Sequence, residues 1–303
     1  MTEGPARRGQ ARWNRAAAHW NDFFFADEPV LAAVYFRTAL ALWTIAFFVP
    51  RLPHLRELYT ERAVRVPHPW LARFGIMPEL PLWAVWLVVI ALLLCLVAFA
   101  TGYHPRKLHP IIFVLLCYLL GYDISTVRGY GQLAFYQWMI AYFLSYDRLR
   151  DASGAVLRAP RWGLRLAMLL FTSVYVFGVV AKTCGGEGWF DGKTLYYTLR
   201  GHDYGSFLLS AWFPVSLGIA RVLGWATLAS ECFIGVGLWL RWTRPWAVLA
   251  CIAMHGMMAL SLRVSILFHL LMVGHLPLFL SARAWERLWE KARAFSAPRQ
   301  PRP

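Results

Sequence analysis

Charge is scarce in this chain, and acid is scarcer still. Only 16% of its 303 residues are charged, with 16 Asp and Glu against 31 Lys and Arg, where a soluble domain carries about a quarter. That shortage excludes an ordinary water-soluble enzyme. Metal motifs are missing as well. There is no HExxH and no CxxC, so neither a helical zinc site nor a redox dithiol is expected, and no metal is predicted. Five cysteines make an odd count and imply no disulfide framework. Cys95, Cys117, Cys232 and Cys251 lie in apolar runs and read as small packing residues. Cys184 alone sits in a polar loop, where it is either incidental or a reactive thiol. The first residues lack the apolar core of a leader, so no cleavable signal peptide is expected. No internal repeat and no separate soluble domain is visible.

Apolar and aromatic residues fill the chain instead: 59% are hydrophobic and 16 are Trp. The expected fold is all-α, a polytopic transmembrane helical bundle of about eight spans with interfacial helices. The spans are placed near residues 30–49, 82–101, 110–124, 131–146, 164–182, 213–240, 246–262 and 264–280. Residues 1–28 carry Arg7, Arg8, Arg12 and Arg15, then Trp13, Trp20 and Phe23 to Phe25. Basic residues followed by aromatics predict an interfacial segment. The transmembrane domain then covers 29–281, and 282–303 form a basic tail that begins as an amphipathic helix with Trp285 and Trp289. The loop 50–81 is rich in Pro and Arg and is expected to hold a short surface helix near 55–65.

The formal net charge of +15 does not indicate nucleic-acid binding, because the arginines cluster in the tails and between apolar runs. There they hold a topology against anionic lipid, which makes membrane lipids the expected partners. Eight spans put both termini on one side, together with the Arg cluster of 147–163. The positive-inside rule makes that side the cytoplasm, as expected for an integral protein of a bacterial inner membrane. Five arginines in loop 50–81 run against the rule.

Lys182 ends an apolar run and opens a polar loop, Ala181-Lys182-Thr-Cys-Gly-Gly-Glu187-Gly-Trp189. An ionisable group at that depth either snorkels to the headgroups or serves function. Desolvation disfavours the charged form of a lysine, so a buried amine can act as a base near neutral pH. Glu231 and His255 lie near mid-membrane, either as a structural interhelical contact or as a proton relay and polar pocket behind Lys182. His269 and His275 stand six residues apart on different helix faces, which argues against a two-His metal site and for structural hydrogen bonds. Trp189, Tyr196, Tyr197, Tyr204 and Trp212 follow the lysine. They form either an aromatic interface belt or the wall of a pocket for a flat lipid-soluble ligand such as a quinone.

Taken together these motifs resemble the horizontally transferred transmembrane (HTTM) domain family, which includes the vitamin K-dependent gamma-carboxylases. The stretch Tyr175-Val-Phe-Gly-Val-Val-Ala-Lys182, followed by Trp189 and Gly192, is similar to the family's signature. The Glu231 segment, Arg241-Trp-Thr-Arg244, Met254-His255-Gly256 and Ser145-Tyr-Asp147-Arg extend the resemblance over most of 124–280. The carboxylases carry Asp where this chain has Glu231. Their loop after the lysine is three residues shorter, and they hold a catalytic histidine where this chain has Arg128-Gly-Tyr130. They also have a large extramembrane region for their protein substrate that this chain lacks.

The resemblance implies that Lys182 is a catalytic base acting on a reduced, vitamin K-like quinone, with Glu231 and His255 as further catalytic residues. It implies that Trp189, Tyr196, Tyr197, Tyr175 and His269 line the cofactor site, and that a peptide or protein is modified. The expected function is thus a carboxylase-like membrane enzyme. The alternative is a non-catalytic membrane maturation or export factor that binds a partner peptide or protein; the missing extramembrane region favours it. A transporter is disfavoured by the lack of a broken-helix repeat.

Overall fold

Backbone amides in an apolar run find no water in lipid, so such runs fold as helices that pair every amide internally. The computed structural model describes residues 5–60, 79–122, 130–185, 188–201, 205, 212–213 and 215–296, without the side chains of 5–12, 130 and 296. The described chain is mostly helical. In order come α1 (Pro5–Phe25), β1 (Asp27–Pro29), α2 (Leu31–Phe48), α3 (Leu55–Tyr59), α4 (Leu82–Thr101), α5 (Pro105–Tyr122) and α6 (Tyr130–Ala141). Then follow β2 (Arg158–Pro160), α7 (Trp162–Cys184), α8 (Lys193–Arg200), α9 (Leu217–Gly237), α10 (Arg244–Ser261), α11 (Ile266–Gly274) and α12 (Ala282–Ser296). Single 3₁₀ turns occupy Val49–His54, Tyr142–Leu144 and Leu276–Phe279.

Among the described residues, four helices are long and apolar enough to cross a membrane: Leu31–Tyr59, α4, α7 and α9. A fifth is reached only by joining Ile266–Phe279 to Ala282–Phe295, a pair bent by 104°. The expected count of about eight is therefore not met by this measure, and the shortfall has physical causes. Of the span expected over 131–146, the described helix α6 covers 12 residues, and residues 123–129 before it lie outside the described residues. Helix α5 starts with Arg106 and Lys107, and α10 with Arg244, which lowers their hydropathy. The run expected as one span over 264–280 is instead α11 plus a 3₁₀ turn. Pro277 lies in that turn and lacks the amide a continuing helix needs.

Helices occupy both segments expected to lie at the interface: α1 at the start and α12 at the end of the described chain. The helix expected near 55–65 is described only as far as Tyr59. One feature was not expected. Asp27–Pro29 pairs antiparallel with Arg158–Pro160, tying the end of α1 to the start of α7. Arg161 strengthens this tie with an ion pair to Glu28 and hydrogen bonds to Phe23 O (3.1 Å) and Asp22 O (2.7 Å).

Helices α7 and α9 run antiparallel, in a register fixed by small residues. Gly178 faces Glu231, Gly235 faces Tyr175 and Val176, and Trp239 Nε1 donates to Thr172 Oγ1 at 3.3 Å. A Cβ on Gly235 would stand 3.0 Å from Val176, so a larger residue there would force the helices apart. Because of this register, α9 continues beyond the end of α7. Residues 188–200 cover its first turns: Trp225 Nε1 donates to Phe190 O (3.0 Å) and Arg221 Nε to Asp191 O (3.2 Å). Gly192 adopts φ +81, and a Cβ there would strike the Arg221 backbone.

Candidate functional site

Lys182 sits in the last turn of α7, where the helix dipole favours a cation. The α7–α9 register aims its side chain at α9, where Nζ forms an ion pair with Glu231 Oε1. The side chains keep 20% and 12% of their surface exposed, respectively. Glu231 lies about 21 Å along α9 from Leu217. The lysine at the end of one helix is thus carried to the inner part of its neighbour. Trp189, on the segment that covers α9, places its ring centroid 5.0 Å from Nζ, within cation–π range. The floor is Gly178, where an added Cβ would lie 3.6 Å from Glu231 Oε2 and 3.7 Å from Lys182 Nζ. Glu231 Oε2 is buried without a hydrogen-bond partner among the described residues.

Two turns back on the same face of α7 is Tyr175, which belongs to a second polar group. Its hydroxyl lies 2.9 Å from His255 Nε2 and 3.2 Å from Cys251 Sγ, both on α10. His255 Nδ1 in turn lies 3.3 Å from His269 Nδ1 on α11. All four residues are buried. Neither end of the His255–Tyr175 contact is committed to a single proton arrangement, because a hydroxyl and an imidazole can each donate or accept. His269 Nε2 is buried and has no partner among the described residues.

The expected site residues thus divide. Lys182, Glu231 and Trp189 come together. His255, Tyr175 and His269 also come together, but as a separate hydrogen-bonded chain; His255 does not pair with Glu231. Two of the three tyrosines expected in the pocket wall have contacts of their own. Tyr196 Oη accepts from Arg200 Nη1 at 2.8 Å, and its ring carries the Arg200 guanidinium at 5.1 Å. Tyr197 is 68% exposed and packs edge-on against Tyr196. Glu187 and Tyr204 lie outside the described residues. Sequence reasoning passed over Gly178 and Gly235, whose lack of a side chain lets α7 and α9 meet, and took Cys251 as packing only. A glycine in each of the two apolar runs that carry Lys182 and Glu231 was the available signal.

Just outside the ion pair, the covering segment is fixed by its own charges. Asp191 Oδ1 accepts from the Lys193 amide at 2.9 Å, and Oδ2 meets Lys193 Nζ at 2.9 Å. The amide bond first, then the ammonium, hold the Asp191 carboxyl below its ordinary value of 3.8. The same contact raises Lys193 above its ordinary value of 10.5.

Chemically, an ammonium and a carboxylate in partial burial can share one proton in two ways, as an ion pair or as a neutral amine and acid. Three hollows among the described residues lie elsewhere, lined by residues of α2, α5, α6 and α11 or by the β1–β2 junction, and Lys182 lines none of them. Among the described residues no group of three or more His, Cys, Asp or Glu could hold a metal. No protein-family model matches the chain, and no curated protein and no solved structure matches it.

Proposed function

We propose that this chain is an integral-membrane enzyme in which the Lys182–Glu231 pair exchanges a proton with a weakly acidic, lipid-soluble substrate. The observation that carries the reading is the ion pair itself: a partly buried lysine whose one carboxylate partner keeps a second oxygen unpartnered. In this reading α5, α6, α10 and the α11 segment complete about eight crossings. Both termini and the 147–163 loop then lie in the cytoplasm, as the arginine distribution favours.

Transfer of the shared proton from Nζ to Glu231 leaves Lys182 as a neutral amine. The amine then takes a proton from the substrate, and Glu231 releases its own through Oε2, so the pair ends one turn of exchange as it began. Trp189 shields the amine from water, and Gly178 keeps the contact short. A reduced quinone, the substrate class suggested by the HTTM resemblance, would bring a weakly acidic ring hydroxyl to that amine. A peptide or protein would be the final target.

The test uses the full chain in proteoliposomes with a reduced naphthoquinone, labelled carbon dioxide and a glutamate-rich peptide, following quinol consumption and label uptake. Lys182→Ala should lose at least a hundredfold in rate, as expected for removal of a general base. Wild-type turnover in that variant would sink the mechanism.

A non-catalytic maturation or export factor is the second reading. It is supported by Phe190, Tyr197, Trp212 and Phe213, which are exposed by 57%, 68%, 79% and 68% on the segment beyond α7. A peptide could pack on them. Retention of function in Lys182→Ala, with a peptide co-purifying and lost in Phe190→Ser, would favour this reading over the enzyme.

A further inference from the structure

Helix α12 is capped at its start by Ser281, whose Oγ accepts from the Ala284 amide at 3.3 Å. It leaves the preceding Ile266–Phe279 segment at 104°, so it runs crosswise to that segment. Trp285 fixes its depth: the indole lies 5.2 Å from the ring of Tyr35 on α2. Tyr35 stands four residues, or about 6 Å, into Leu31–Tyr59, one of the helices long and apolar enough to cross a membrane. On another side of α12, Glu286 Oε1 lies 3.7 Å from Arg158 Nη1 on β2. Strand β2 pairs with β1, which comes just before that helix in the chain. Helix α12 is therefore held at the level where a span begins.

Those two contacts decide what each side of α12 meets. Trp285 and Trp289, one turn apart and half-buried, lie on the side toward the bundle. Glu286 lies on the side toward the hairpin. At 3.6 residues per turn, Leu288 and Phe295 fall on the side opposite Glu286, where they are 49% and 93% exposed. Arg283, Arg287 and Lys291, each four residues from the next, make one exposed stripe on the side turned away from the tryptophans. Glu290 falls beside Glu286, and Arg293 falls next to both acids. The helix thus sorts its charges: a purely cationic stripe borders the exposed apolar edge, and both acids stand on the hairpin side. A water-soluble acidic partner could meet the cations, but Leu288 and Phe295 point toward the depth of the span, where lipid lies.

We infer that α12 is a docking surface for anionic phospholipid. Leu288 and Phe295 enter the acyl layer, and Arg283, Arg287 and Lys291 take the headgroup phosphates beside them. A zwitterionic headgroup also offers a phosphate, but its own ammonium cancels the attraction, so the stripe selects lipids of net negative charge. The tryptophans are not the lipid anchors of this helix; they fasten it to the bundle. The surface is separate from Lys182, and the inference does not depend on the proton-exchange reading.

The test places a photoreactive benzophenone side chain at position 295 of the full chain, in nanodiscs of phosphatidylcholine with a minority of phosphatidylglycerol. Mass spectrometry then identifies what is captured. Phosphatidylglycerol should be captured about fivefold above its bulk share, the ratio that one cation near an anionic surface supplies. The triple variant Arg283→Gln, Arg287→Gln, Lys291→Gln should still capture lipid, but in the bulk ratio. Glu290→Gln should keep the enrichment. Raising the salt should erase the enrichment in the unaltered helix, a measurement that needs no charge variant to fold. Capture in the bulk ratio from the start, enrichment that survives the triple variant or high salt, or capture of an acidic protein in place of lipid in native membranes would each overturn the inference.

Discussion

Arg37 and Lys182 are both cations in apolar helices, and the bundle answers them differently. Arg37 on α2 is 5% exposed. Its Nη1 donates to Tyr146 O at 3.4 Å, and its guanidinium sits 5.9 Å over the Phe99 ring. Gly102 makes room for it: the residue ends α4 at φ +88, and a Cβ there would lie 3.0 Å from Nη2. Arg37 therefore joins α2, the end of α4 and the segment after α6, and its nearest hydrogen-bond partner is a carbonyl that cannot take a proton. Lys182 meets a carboxylate that can. The same class of buried charge hydrogen-bonds a carbonyl in one place and an acidic side chain in the other, and the proposed proton exchange rests on that difference.

That contrast can be broken from either side. The largest effect is expected for Glu231→Leu, which leaves the Lys182 ammonium without its partner. It should lower unfolding stability in detergent by about 3 kcal/mol, the cost of stranding one member of a buried pair. The double variant Lys182→Met with Glu231→Leu should recover most of that loss, measured by denaturant titration. If the single and double variants are equally unstable, the pair is not the source of the cost. Arg37→Met should cost about 2 kcal/mol through lost hydrogen bonding to a charged group. It should leave turnover per folded molecule unchanged, and a selective loss of turnover would erase the distinction between the two cations.

A smaller effect, about 1 kcal/mol, is expected for Tyr175→Phe, which removes the hydroxyl shared by His255 and Cys251. Nitrogen NMR of labelled histidine should then show His255 and His269 with altered tautomer populations. Unchanged spectra would dissolve the proposed contact. The smallest effect is on pH. Because the folded Asp191 carboxyl is held below 3.8, its contribution is complete above that value and is lost as pH falls through the lower, folded value. Hydrogen exchange across α8 should therefore speed up only below about pH 4. Asp191→Asn should remove the pH step; a step that persists would point to another group.

The apolar runs were legible because their composition leaves helices as the only way to pair the backbone in lipid, and α2, α4, α7 and α9 fall where those runs lie. Span counting was less secure. The break at Pro277 depends on local geometry that hydropathy averages away. Lys182 and Glu231 could each be singled out as polar groups in apolar surroundings, but 49 residues separate them, and no periodicity links them. Tyr196 and Tyr197 follow Lys182 closely in sequence, but their contacts are with Arg200 and with each other.

By itself, then, the sequence determined a mostly helical chain with helices long and apolar enough to cross a membrane, basic ends and a handful of ionisable groups among apolar residues. Only the tertiary structure decided which of those groups meet. The α7–α9 register set by Gly178 and Gly235 gave Lys182 to Glu231, and the packing of α10 and α11 gave His255 to Tyr175 and His269. The physical reason is that hydropathy acts residue by residue along the chain, whereas pairing depends on how close two helices come, and that distance is fixed by the smallest side chains between them.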